Sequence, residues 1–233
     1  MINYNNKSLS TISNHLILNS HNMTNLGILH GKMGVIIYFY ILSRYSKHEY
    51  YADFASILLD ELISELDMSL PPSFGDGFSG IGWGIEYLVQ NNYLEGDTNE
   101  VLYDIDQIVM KKQDIRRITD WSFEDGIGGI VLYTFTRLSS FARNPIYTPF
   151  DEVFLSDLQD NIRQYKCSDM PKYVREIFLS FEKYVTKPFI CMSKLSLPRY
   201  LYKEMSNDMA KYKERELGIW GGMAGDGLRY ILK

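Results

Sequence analysis

The chain has 233 residues, of which 45% are hydrophobic and 14% aromatic, enough to bury a substantial core in a single domain over 1–233, with two smaller ones also compatible, and too apolar for a disordered segment. A formal net charge of -5, with Lys and Arg scattered rather than clustered, argues against a nucleic-acid groove or an anionic membrane surface and toward neutral or basic partners. The only cysteines, Cys167 and Cys191, stand in no metal-ligand or C-x-x-C spacing, which excludes a disulfide framework and a structural zinc site and fits a reducing compartment.

The N-terminal stretch "MINYNNKSLSTISNHL" lacks a basic segment followed by an apolar core, and no apolar run reaches the ~18 residues of a membrane span. The sequence therefore reads as cytoplasmic, with a first outer helix near 8–22. "HGKMG" at 30–34 then leads into "VIIYFYIL", apolar nearly all round, which predicts a buried inner helix from about 32. In "YYADFASILLDELISELD", Tyr51, Phe54, Leu58, Leu62 and Leu66 form one stripe with carboxylates on the other faces, as in a half-solvated outer helix. "DGFSG" at 76–80 opens a second inner helix from about 78, carrying "IGWGIEYLV". Asp97 can N-cap the next outer helix, with Glu100 three residues on and a stripe of Leu102, Ile105 and Val109. "DGIGG" at 125–129 opens a third inner helix from about 127, and "GGMAG" at 221–225 a last one from about 222.

The glycines give these elements a period. All but Gly96 of the 17 fall in four clusters, and the first motif glycines are separated by 46 residues (Gly31 to Gly77), 49 (Gly77 to Gly126) and 96 (Gly126 to Gly222). The last interval is twice the others, so one copy lacks its glycines. Near its midpoint "DMPKYVREIFLSFEKYV" has Pro171 at a helix start and Val174, Ile177, Phe178, Phe181 and Val185 at helical spacing, a fourth inner helix from about 172. No stretch shows sustained two-residue alternation. The class is all-α, about five outer–inner pairs, and equal spacing gathers the glycine turns at one end, around a single mouth.

Three stretches carry a family resemblance: "LGILHGKMGVIIYFYILSRYS", "SFGDGFSGIGWGIEYLVQNNYLEGDT" and "DWSFEDGIGGIVLYTFTRL". They resemble the repeats of lanthionine synthetase C-like (LanC-like) proteins, and in particular a short, divergent group. The likeness covers about 26–139 and, through one motif, 217–232. It implies an α/α toroid, here a ring that uses fewer pairs or stays open, and a role in peptide modification. The best-known members cyclise peptides by adding a cysteine thiol to a dehydrated serine or threonine, with zinc held by two cysteines and a histidine. The corresponding positions here hold Trp220 and Leu29, and only His30 matches a ligand slot, so zinc is not expected and no other cofactor is implied. The implied partner is a ribosomally made precursor peptide or the enzyme that matures it; whether the chain is itself an enzyme stays open.

If the turns line one mouth, His30, Asp76 and Asp125, which share one slot in successive repeats, become candidate acid–base residues, with Glu124 beside them. Asp is also a preferred N-cap, and capping accounts for the two aspartates without chemistry. Trp83, Trp121 and Trp220 each stand near a glycine turn, either as an aromatic wall for a threaded peptide or as fillers between helices. Glu86, on an inner helix, is a substrate-contact candidate or the ion-pair partner of Arg137 or Arg229. Three functions follow: zinc-free peptide modification or peptide holding, a non-catalytic binding module, and a carbohydrate-active toroid using Asp76, Glu86, Glu124 or Asp125.

Overall fold

The computed structural model describes residues 4–141, 148–165, 170–187, 195–198, 201 and 216–232. Every regular element among them is helical: α1 (Tyr4–Asn19), α2 (Lys32–Ser46), α3 (Tyr50–Glu65), α4 (Phe78–Gln90), α5 (Thr98–Val101), α6 (Tyr103–Lys111), α7 (Ile127–Phe141), α8 (Glu152–Arg163), α9 (Lys172–Thr186) and α10 (Met223–Ile231). The five helices expected to be inner ones begin within one residue of where the glycine period and the apolar runs predict them. Asp97 caps α5 as expected, its carboxylate accepting the Asn99 N–H at 2.9 Å. The expected outer helix before 222 and both cysteines, Cys167 and Cys191, lie outside the described residues. Among the described residues no helix is long and apolar enough to cross a membrane.

The chain divides into two compact units, one of residues 1–69 and 197–233, the other of 70–196. In the first unit α2 packs against α3, and α10 packs against α1 and α2. In the second unit α7 lies between α4 and α9, and α6 packs on α4. Burial follows the predicted faces in the main, with Tyr184 buried on α9 in place of the expected Val185, and Tyr51, Phe54 and Leu66 of the α3 stripe only half-buried. In α2 and α4 every residue from Lys32 to Leu42 and from Phe78 to Leu88 is buried, whereas α9 buries only Val174, Ile177, Phe178, Phe181 and Tyr184.

All four glycine turns are built on one hydrogen-bond register. The first helical residue donates its N–H to the carbonyl seven residues earlier: Lys32 to Asn25 at 2.9 Å, Phe78 to Pro71 at 2.9 Å, Ile127 to Asp120 at 2.9 Å and Met223 to Glu216 at 3.0 Å. Each preceding loop thus folds back over its own helix start and satisfies an N–H that a helix otherwise leaves unpaired. The motif glycines mark where loop and helix backbones touch. A Cβ on Gly31, Gly77, Gly126 or Gly222 would collide with the carbonyl oxygen six residues back, and one on Gly34, Gly129 or Gly225 would do the same. Gly31, Gly77 and Gly222 have extended backbone angles open to any residue, so space and not φ demands glycine there.

Candidate functional site

The turns meet in pairs within each unit. In the second unit Gly75, two before Gly77, donates its N–H to the carbonyl of Glu124, two before Gly126, at 2.8 Å. In the first unit Trp220, two before Gly222, donates to the carbonyl of Leu29, two before Gly31, at 2.9 Å. The second glycines follow the same register. A Cβ on Gly129 would strike Phe74, and one on Gly34 would strike Ile219. Deeper in the helices, Gly82 opens space for the Tyr133 ring and Gly227 for the Tyr38 ring. The fourth glycine turn therefore stands to the first as the second stands to the third.

What the turns carry differs between the units. In the first, His30 is half-buried, with Nδ1 3.2 Å from Oε2 of the exposed Glu216. That juxtaposition is set by the backbone, since Gly218 packs directly on the His30 main chain and would have no room for a side chain. Glu216 comes from the last repeat, 186 residues away in sequence, and carries no motif signal. The slot that holds His30 in the first turn is occupied in the last by Gly221, whose φ of 65° lies in the left-handed region that disfavours side chains. Trp220 is half-buried beside it.

In the second unit Asp76 is half-buried and its Oδ1 is buried with no hydrogen-bond partner; Glu124 is half-buried and Asp125 exposed. The capping reading of Asp76 does not hold. The cap position belongs to Gly77, which makes no side-chain capping bond, and Asp76 stands one residue outside it. Asp125 likewise stands outside Gly126, which directly precedes α7. The carboxylate that orders this turn is Asp120, which the motif did not single out. Its oxygens accept the Ser122 N–H and Oγ–H, both at 2.7 Å, and Ser122 Oγ accepts the Gly126 N–H at 3.0 Å. Trp121 is half-buried next to it. Thus Asp76, Glu124 and Asp125 belong to one turn pair, while His30 belongs to the other unit.

Two further candidates are core residues. Trp83 is fully buried, stacked on Tyr87 with ring centroids 5.5 Å apart and edge-on to Phe74 at 5.9 Å, so it fills the space between helices. Glu86 is buried and its Oε2 accepts from Arg137 Nη1 at 2.9 Å, the ion-pair reading with the first of its two candidate partners. Arg229 instead pairs with Asp226 on its own helix. No motif signal singles out Lys32, inside "HGKMG". Its side chain is fully buried, with Nζ 2.9 Å from both oxygens of Glu65 and 3.4 Å from Glu61, which ties the first glycine turn to the end of α3.

Among the described residues no three His, Cys, Asp or Glu side chains are grouped so as to hold a metal ion. Leu29, at one of the positions where the resemblance would require a thiolate, is fully buried in the apolar core. The remaining surface offers a histidine–carboxylate pair with an indole in one unit, and carboxylates with an indole in the other. Such groups suit holding a peptide chain through aromatic contact, hydrogen bonds and attraction for cationic side chains. No protein-family model, no curated protein and no solved structure matches this chain.

Proposed function

We propose that this protein is a zinc-independent relative of the LanC-like proteins that holds a ribosomally made precursor peptide at its paired glycine turns, as the partner of a peptide-maturation enzyme. The observation that carries this reading is the shared register of the two turn pairs. A last turn that docks on the first by the step that joins the second to the third is what an α/α toroid of repeated helix pairs requires, and it supports that fold for this chain. The turn residues support holding over zinc-thiolate chemistry, because the ligand positions carry Leu29 and Trp220 while His30, Asp125 and the half-buried Trp121 and Trp220 remain at the surface. The carbohydrate-active reading is weakened, because Glu86 is committed to Arg137.

A displayed library of random unstructured peptides, selected on the immobilised protein, tests this proposal. Peptides should be enriched, bind equally with and without a chelator, and lose about tenfold in affinity, ~1.4 kcal/mol, on a Trp121→Ala or a Trp220→Ala variant. Absence of any enriched peptide would count against holding. Near-equimolar zinc in the purified protein, with stability lost on chelation, would restore the thiolate mechanism.

A further inference from the structure

Among the described residues, the buried charges of the second unit are two carboxylates and one cation. Arg137 on α7 is fully buried, and two carboxylates face it: Asp106 on α6, 2% exposed, and Glu86 on α4, 1% exposed. Arg137 grips Asp106 with two nitrogens, Nη2 to Oδ2 at 2.7 Å and Nε to Oδ1 at 3.2 Å, and turns Nη1 to Glu86 at 2.9 Å. The other groups on the carboxylates are neutral. Tyr133 Oη donates to Asp106 Oδ1 at 2.5 Å, and Gln90 donates to Glu86 Oε1 at 2.8 Å. Thr98 on α5 reaches only the guanidinium, at 3.4 Å. One guanidinium thus serves two carboxylates, and no second cation among the described residues balances the remaining negative charge. An unpaired ionised carboxylate in such a place costs several kcal/mol, and the ordinary escape is to take up a proton.

We propose that Glu86 and Asp106 hold one proton between them in the folded protein, which makes this core a proton-dependent clasp joining α4, α6 and α7, tight in acid and weakened in alkali. The hydrogen bonds accommodate that proton without rearrangement of the backbone. If it sits on Glu86 Oε1, the Gln90 amide needs only to turn over and present its oxygen, a flip that leaves its heavy-atom positions nearly unchanged. Burial, against the pull of Arg137 and of the Tyr133 hydroxyl, holds the Asp106 carboxyl above the usual carboxylate range, and the nearby Glu86 pushes it the same way. Because the two carboxyls share one guanidinium, the proton belongs to the pair. The sign follows from linkage: a carboxyl that binds its proton more tightly folded than unfolded contributes stability that is complete below the unfolded value, near pH 4, and lost as pH rises through the folded one.

The infrared spectrum of the wild-type protein at neutral pH provides the first test, because surface carboxyls are ionised there. A protonated-carboxyl carbonyl band should be present and should disappear in Glu86→Gln, whose amide can still accept from Arg137 and donate to the Gln90 oxygen. Denaturant unfolding from about pH 5 to about pH 8 gives the second. The ratio of the wild-type to the Glu86→Gln unfolding constant should climb by up to about tenfold per pH unit until the pair loses its proton. The wild-type infrared spectrum decides the matter even if the variant does not fold. Absence of the band, or a ratio that stays flat across the range, would overturn the proposal.

Discussion

The two units use the same backbone device for different cores. Each presents two glycine turns in one register, with a tyrosine from one helix seated over a glycine of the other: Tyr133 over Gly82 in the second unit, Tyr38 over Gly227 in the first. What those tyrosines meet differs. Tyr38 Oη pairs with the Ser13 hydroxyl at 2.8 Å, a neutral contact, whereas Tyr133 donates into the Arg137–Asp106–Glu86 cluster. The first unit keeps its buried cation, Lys32, against Glu61 and Glu65, which are partly exposed. The second encloses Arg137, Glu86 and Asp106 entirely. The repeat thus specifies how backbones approach one another and leaves each copy free to vary its polar groups.

Removing charge should separate the units most strongly. Arg137→Met takes the shared cation from Glu86 and Asp106 in the second core and should cost about 3–5 kcal/mol. Arg229→Met in the first unit removes a partly exposed partner of the buried Asp226 on the same helix, and a smaller loss of about 1–3 kcal/mol is expected. Denaturant midpoints of both variants measure the contrast, and equal losses would show that the two cores rely on charge alike.

Changing the shared backbone device should affect both units to the same extent. A Cβ on Gly77 meets the Pro71 carbonyl oxygen and one on Gly225 meets the Ile219 carbonyl oxygen, neither of which can move aside cheaply. Gly77→Ala and Gly225→Ala should each lower stability by about 2–3 kcal/mol. Gly96, at φ 150° with nothing near its missing Cβ, should cost only about 1 kcal/mol as Ala, through backbone strain alone. A tolerated Gly77→Ala, melting like the wild type, would remove close approach as the reason for the motif.

The smallest effect is expected at the surface of the first turn pair. His30 meets Glu216 through an exposed contact at 3.2 Å, so His30→Gln should change stability by less than about 0.5 kcal/mol. A thermal melt checks this. A larger loss would make His30 part of the scaffold, in the way Lys32 is.

The positions of the helices could be read directly from the sequence. Glycine spacing and 3.6-residue periodicity located α2, α4, α7, α10 and also α9, which has no glycine turn, because helix period and steric room are properties of short stretches. The stripes on α3, α6 and α9 were legible for the same reason. Side-chain roles were not. Asp76 has the composition of a cap but sits one residue outside the cap position, since the loop carbonyl of Pro71 already receives the first helical N–H. Trp83 reads equally as wall or filler until the rings of Tyr87 and Phe74 close over it.

The amino-acid sequence by itself therefore determined an all-α chain and the places where backbone must approach backbone, because glycine and hydrophobic period act over a few residues. Only the tertiary structure decided which turns pair, that Glu216 reaches His30 across 186 residues, that Lys32 is buried against α3, and that Arg137 rather than Arg229 answers Glu86. Those partners are brought together by packing between distant helices. A charged side chain bears no local mark of the group it will meet, and its burial is fixed only when the surrounding helices exclude water.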